Sequence, residues 1–376
     1  MKKYDRRIII VIRETRLEKV LMSQNTRAQA KFYIHSLGGD FDDYDTEHRQ
    51  YHASVQKARQ CLEELGNLQM LDRKYLPNFI FAPEDIVVVI GQDGLVANTV
   101  KYLDAQPVIG LNPDPARWDG VLLPFIPEDA AKIAEDTIKG RRKTEEVTMA
   151  KARIQNGQEL LAVNDFFIGQ RTHVSARYII KHGGLKEPQS SSGVIVSTGL
   201  GSTGWMKSVI AGASRISASV IGHPYGGQQE NDGLIVEEEP PEEEPPLLPG
   251  MAGGLGVLAI DALERVVYGE PRGEPRASKR TRQKKQSYGL SELSGVIGKW
   301  RSEELIFAVR EPFPSKTTGT SLVFGKISAK EALRIESLMG ENGIIFSDGI
   351  ESDFLAFNAG TEAVITLADK RGRIVV

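Results

Sequence analysis

Residues 85–94 read DIVVVIGQDG, and this stretch decides the fold. Ile86 to Ile90 are all β-branched, with no polar residue to face water on either side. Such a run is the mark of a strand buried on both faces, as in a parallel sheet. Gly91–Gly94 then makes a turn, and helical spacing follows over 97–103. QPVIGL at 106–111 supplies another short strand. Strand, turn, helix and strand form a βαβ unit, which predicts an open α/β sheet. Upstream, 8–12 reads as a buried strand, and 27–35 and 46–65 read as helices. In the second of these helices Val55, Ala58, Cys61 and Leu62 share one apolar face.

After about residue 141 strand-like runs predominate: 160–168, 173–180, 193–197, 304–309, 343–347 and 362–367. The expected organisation is therefore an α/β N-terminal domain over 1–140 and a β-rich, β-sandwich-like C-terminal domain over 141–376. The second contains an irregular insertion at about 223–295. Within it, 237–246 is EEEPPEEEPP and 276–285 is RASKRTRQKK, and neither can bury an apolar face. Between them 255–268 has helical apolar spacing.

Composition narrows the function classes. The 376 residues include 47 Lys+Arg and 50 Asp+Glu, a formal net charge of −3. That balance argues against a histone-like nucleic-acid coat or a polybasic membrane clamp. The six glutamates at 237–244 and six basic residues at 276–285 cancel, so near-neutrality does not imply an evenly mixed surface. Hydrophobic residues make up 40% and glycine adds 37 residues, enough for a sizeable core. A single cysteine, Cys61, excludes an intramolecular disulfide and cysteine-rich zinc sites. The apolar run at 8–12 is too short for a signal-peptide core, and no stretch approaches a membrane span. A soluble cytoplasmic protein, with neither nucleic acid nor membrane as partner, is the expectation.

Three segments carry chemistry. In Gly91-Gln92-Asp93-Gly94, glycine lets a phosphate approach backbone N–H groups at the carboxyl end of a buried strand, where open α/β sheets bind ligands. Asp93 could there accept a proton from a hydroxyl or position a cation. An Asp-Gly turn without chemistry is the plain alternative. Ser197-Thr198-Gly199-Leu200-Gly201-Ser202-Thr203-Gly204-Trp205 suits a loop that wraps a nucleotide, with Trp205 as a stacking face. It lacks the Gly-Lys-Ser/Thr of a phosphate-binding P-loop, and a flexible Gly/Ser loop would look the same. Asn164-Asp165 interrupts an apolar run, so the pair either meets a ligand or marks a bulge or strand end. Asp42, Asp43 and Asp45 read as a solvated loop. His48 and His52, four apart, read as a partly exposed helix face, and Cys61 as core.

Taken in order, these segments resemble the NAD kinase family, which shows Gly-Gly-Asp-Gly-Thr, then Asn-Glu, then Thr-Gly-Ser-Thr-Ala-Tyr. The detail looks most like the branch containing the animal mitochondrial NAD kinase. Glu14-Thr15-Arg16-Leu17-Glu18, the PVIGLNPDP run at 107–115, Ser191-Ser192-Gly193, Val309-Arg310-Glu311-Pro312 and Phe346-Ser347-Asp348-Gly349 carry that likeness. It covers about 5–210 and 300–370. The resemblance implies an NAD kinase/diacylglycerol kinase-like fold. It also implies transfer of a phosphoryl group from ATP or another polyphosphate to the 2′-hydroxyl of NAD, giving NADP, with Mg²⁺ held through the nucleotide phosphates. No metal is expected in the apoprotein, and a homo-oligomer, dimer or tetramer, is. Asp93 matches the proposed base. Gly91, Gln92 and Gly94 match the phosphate-facing turn. Asn164, Asp165, Thr198, Gly199, Gly201, Ser202, Thr203 and Trp205 match dinucleotide-binding positions.

The sequence departs from the family pattern where Gln92 replaces the second glycine and Leu95 replaces threonine. A side chain at 92 enters space left open for phosphate, or needed for a positive φ. These departures alter the donor cradle. They motivate a second reading, a dinucleotide-binding sensor of the same fold with altered specificity or none of the catalysis. A lipid or sugar kinase is a weaker third.

Overall fold

The computed structural model describes residues 3–221 and 296–376. The glutamate-proline run, the basic run and the helical spacing at 255–268 lie outside the described residues.

Four strands build the parallel end of a ten-stranded sheet: β1 (Arg7–Ile12), β2 (Asn67–Asp72), β3 (Ile86–Ile90) and β4 (Pro107–Leu111). They lie parallel in the order β2-β1-β3-β4, so the DIVVVI run sits at the centre, as its composition predicts. Every residue of β3 is buried because helices cover both faces. On one face Ile8, Ile10, Val88 and Ile109 pack against α3 (Phe41–Leu62) and α5 (Ala130–Ile138). On the other, Ile9, Val11, Val87 and Val89 pack against α4 (Asp93–Val100). Between β1 and α3 the chain makes α1 (Arg16–Gln24) and α2 (Arg27–Ser36). Thr15 caps α1 in a capping box with Glu18. The aspartates read as a solvated loop are instead the start of α3. Asp40 is its N-cap and Asp42 and Asp43 lie in its first turn, where carboxylates are favoured by the helix dipole. Cys61 is partly buried against the core on the α3 side of the sheet.

The remaining strands are β5 (Thr144–Ile154), β6 (Glu159–Ala162), β7 (Asp165–Gln170), β8 (Ala176–His182), β9 (Leu185–Ser191), β10 (Val194–Ser197), β11 (Glu304–Val309), β12 (Phe324–Ser328), β13 (Leu333–Ser337), β14 (Gly343–Ser347), β15 (Ile350–Ala356) and β16 (Glu362–Val375). One six-stranded antiparallel sheet runs β12-β11-β10-β7-β14-β15. Its inward residues Phe166, Ile168, Val194, Val196, Leu305 and Phe307 interleave with Ala150, Tyr178, Ile335 and Ile365 of the other sheet. This is a β-sandwich, and the fold class read from the sequence stands: a parallel α/β part followed by an antiparallel β-rich part. The outward residues Ile195, Ile306 and Ala308 pack instead on Met206 of α6 (Trp205–Ile221).

Residues 160–168 are not one strand. The chain leaves one sheet at Ala162 and enters the other at Asp165, so Asn164 lies at the crossing point. β16 joins the two parts, since it pairs parallel to β4 and antiparallel to β5 and β13.

Candidate functional site

The carboxyl ends of β1, β2 and β3 open onto a cleft of about 1020 Å³. Ligands bind open α/β sheets at this end. Arg13, Arg16, Lys19, Arg73, Lys74 and Arg117 line it, with Gln92 and Asn98 from the turn and helix after β3. Ile350, Ser352 and Asp353 of β15 close the far side. These six cationic side chains share the cavity with five acidic ones, Glu14, Asp43, Glu47, Asp72 and Asp353, and acidic neighbours hold several of the cations in place. Glu47 bonds Arg13 at 2.8 Å and Arg16 at 3.3 Å. Burial opposes ionisation of Glu47, but those hydrogen bonds outweigh it and hold its carboxyl below the usual value. Asp43 pairs with Arg16 at 2.7 Å and Arg117 at 2.8 Å, and the Arg16 hydrogen bond lowers its pKa.

The Gly91–Gly94 turn begins α4. Gln92 is the N-cap with φ −119°, ordinary extended backbone, so glycine is not required there. Its side chain reaches the cleft wall, as the sequence predicts. A Cβ on Gly91 would fall 2.9 Å from Leu95 Cδ2 and 3.7 Å from Arg13 Nε, whereas one on Gly94 would meet nothing within 4 Å. Leu95, in place of a hydroxyl residue, is core. Asp93 does not point freely into the cleft. Its two oxygens accept the backbone N–H of Leu122 (2.7 Å) and of Val121 (3.3 Å). Gly110 lets that same loop lie against β4, because a Cβ there would come within 2.0 Å of Leu122 O. Each Asp93 oxygen keeps a further lone pair, although Asp93 is not among the residues that line the cleft.

Asn164 and Asp165 meet a residue that sequence reasoning treated only as part of a family landmark. Asp348, at φ 55°, accepts the successive N–H groups of Val163, Asn164 and Asp165, the Asn164 bond at 2.7 Å. Burial pushes the Asp348 carboxyl up, with Lys101 Nζ 3.9 Å away opposing the shift. Lys101 also donates to Ser347 Oγ (2.9 Å) and Asp353 Oδ2 (2.5 Å), and Tyr102 donates to Asp353 at 2.9 Å. This network ties the end of α4 to β14 and β15, and no sequence motif announces Lys101. Burial likewise pushes the Asp165 carboxyl up to about 7, against a Ser197 hydrogen bond and with the nearby Asp348 charge adding to the shift.

The hydroxyls of the glycine-rich loop bond to backbone. Thr198 donates to Val163 O (2.6 Å), Ser202 to Gly199 O (2.6 Å) and Thr203 to Leu200 O (3.0 Å). Gly199 and Gly201 are needed for close approach, since a Cβ would come within 2.1 Å of Lys299 O and 2.2 Å of Asn164 O respectively. Trp205 stacks on Phe167 with centroids 5.8 Å apart and an interplanar angle of 9°. With Phe167, His173, Phe346 and Arg310 it lines a second cavity of about 330 Å³. The expected residues thus divide. Gln92 stands on the large cleft and Trp205 on the small one, while residues 198–203 shape the backbone between Asn164 and α6.

Among the described residues, Arg13 Nε, Asn98 Oδ1, Asp165 Oδ1 and Gln170 Oε1 are buried without a hydrogen-bond partner. Arg13 and Asn98 line the large cleft and Gln170 the small one.

The chain is similar to two solved structures. One is an NAD kinase from Archaeoglobus fulgidus in complex with ATP, at 15% identity and TM-score 0.48, covering 98% of this chain and 93% of that one. The other is the yeast NADH kinase complexed with NADH, at 12% identity and TM-score 0.47, covering 100% and 84%. No protein-family model and no curated protein matches the chain. No helix among the described residues is long and apolar enough to cross a membrane.

Proposed function

We propose that the protein is a phosphotransferase of the NAD kinase type, moving a phosphoryl group from ATP or another polyphosphate to the 2′-hydroxyl of NAD. The observation that carries this reading is the cleft at the strand ends with its six Arg and Lys side chains. Such a cleft suits a polyphosphate, whose transfer is catalysed mainly by positioning and charge stabilisation. In this reading the donor phosphates sit by Gln92 and the first turn of α4, and Asp93 accepts the acceptor hydroxyl's proton. The dinucleotide runs past Asn164 and Asp165 towards Trp205. Magnesium fits as a companion of the donor. Asp43, Glu47, Asp72 and Asp353, which line the cleft, accept hydrogen bonds from neighbouring groups. Mg²⁺ would be held through the donor's phosphate oxygens and would supply charge neutralisation there. The homo-oligomer and the division at about residue 140 belong to the same proposal.

One observation favours a second reading, a non-catalytic dinucleotide sensor: both Asp93 oxygens are engaged by the 121–122 backbone. The protein with Mg²⁺ and NAD is assayed for NADP with ATP, GTP or polyphosphate, beside calorimetry with NAD and NADP. NADP formation is expected. Binding without NADP from any donor turns the assignment to the sensor, and a faster reaction on a lipid or sugar hydroxyl turns it to a different kinase.

A further inference from the structure

Away from the face that lines the cleft, α1 and α3 bring together three residues the proposed reaction does not use. Glu18 from the first turn of α1 meets His48 and His52, which are four apart and so share one face of α3. One ring nitrogen of each histidine and one Glu18 oxygen lie within 4.8 Å of one another. His52 Nε2 is 3.0 Å from Glu18 Oε1, and the two imidazoles stand edge to face with centroids 4.5 Å apart.

We propose that Glu18, His48 and His52 form a binding site for a divalent transition metal of the zinc class, clamping α1 to α3. Two imidazoles and one carboxylate are a zinc donor set with a fourth position left for water. Metal bonds of roughly 2.0–2.2 Å to N and O place such donors about 3.3 Å apart. The Glu18–His52 pair is already near that spacing, and the donor atoms of all three residues lie within 4.8 Å of one another.

The surroundings suit a ligand site. Thr15 Oγ1 holds His48 Nδ1 at 2.9 Å, the kind of outer contact that orients a ligating imidazole, and it leaves the other ring nitrogen to the metal. Glu18 Oε2 is fixed by the Thr15 N–H at 2.7 Å, so Oε1, which faces His52 Nε2, is the oxygen left to a metal. The nearby cation Arg27 is itself paired with Asp45. On binding, the metal replaces the hydrogen that joins His52 to Glu18. A neutral His52 keeps that hydrogen by moving it to the other ring nitrogen, with no proton released, whereas a protonated His52 gives it up to solvent, metal in and proton out. The site also touches the cleft through the chain, since Glu47, next to His48, holds Arg13 and Arg16.

The test uses the full chain, stripped with EDTA and titrated with Zn²⁺ by calorimetry. One site per chain is expected. His52→Ala changes an exposed residue, and Glu18→Gln keeps the capping box while removing the carboxylate. Each should weaken Zn²⁺ binding about tenfold or more. Co²⁺ should give the visible absorption bands of a four- or five-coordinate ion in the wild type and not in His52→Ala. Zn²⁺ should raise the melting temperature of the wild type alone. A wild type that binds no Zn²⁺ overturns the proposal, and so does a His52→Ala variant that binds it with unchanged affinity. None of these readouts depends on NADP formation, so failure here is distinct from failure of the proposed activity.

Discussion

Lys101 Nζ donates to Asp353 Oδ2 at 2.5 Å across 252 residues of chain. The lysine side chain is 2% exposed and Asp348 Oδ2 lies 3.9 Å from the same nitrogen. One buried cation thus offsets two carboxylates where α4 meets β14 and β15. Lys101→Met fills the space but leaves that charge uncompensated, which costs about 3–5 kcal/mol. Urea unfolding should show this loss, and Lys101→Met/Asp353→Asn should recover part of it. Losses that simply add would show the two residues are not coupled.

Asp165 adds a pH dependence. Its folded pKa, about 7, lies above the unfolded value near 3.8. Its contribution to stability is therefore full below about pH 4 and is lost as pH rises through 7, because the folded state resists ionisation. Asp165→Asn removes that loss. The variant should gain on the wild type between pH 4 and 8 by a few kcal/mol in denaturant melts. Parallel stability profiles would contradict the shift.

Asp93 should be both the proposed base and a loop anchor. Asp93→Asn cannot accept both amide hydrogens in the present arrangement, so a stability loss of about 1–3 kcal/mol is expected. NADP formation should fall by about 10²–10⁴ as the base is lost. Circular dichroism and a melt separate the two effects. Unchanged turnover in a folded variant removes Asp93 from the chemistry.

Gln92→Gly tests the altered cradle. The N-cap backbone is extended and Gln makes no cap hydrogen bond. Stability should therefore stay within about 0.5 kcal/mol. Removing the side chain from the cleft wall should lower KM for the phosphate donor. A large melting shift with no kinetic effect would place Gln92 in structure alone.

Gly110→Ala puts a methyl group where only 2.0 Å separates it from Leu122 O. The 120–123 loop must move off β4, costing about 1–3 kcal/mol. Asp93 loses its partners with it, so activity should fall although residue 110 touches no ligand. Wild-type turnover would show that the loop position is irrelevant to the site.

Legibility in the sequence followed burial. β3, β10 and β11 were readable because the surroundings are apolar on both faces and the runs are unbroken. β2 was not, since five of its six residues are not buried and only Leu71 is a core residue. β9 was hidden by its exposed residues and Pro188. Residues 160–168 looked continuous because both arms are apolar, and only the three-dimensional crossing separates them. In the site, Asp93 and the glycines were visible as turn chemistry. Lys101 and Asp353 were not, because their partners lie some 250 positions away and neither stands in a motif. The Thr198 and Ser202 hydroxyls were visible too, but not their backbone partners, Val163 O at the crossing point and Gly199 O within the loop.

β16 pairs with β4 through Arg373 and Ile374, opposite Pro107 and Val108. Every other strand of that sheet precedes it in the chain. During synthesis at roughly 5–20 residues per second, the β4 edge therefore waits many seconds with its N–H and C=O groups open. An unpaired apolar edge is a template for association with other chains. The β4 edge is completed together with the sandwich, and a nascent chain stalled before residue 373 should depend heavily on chaperones.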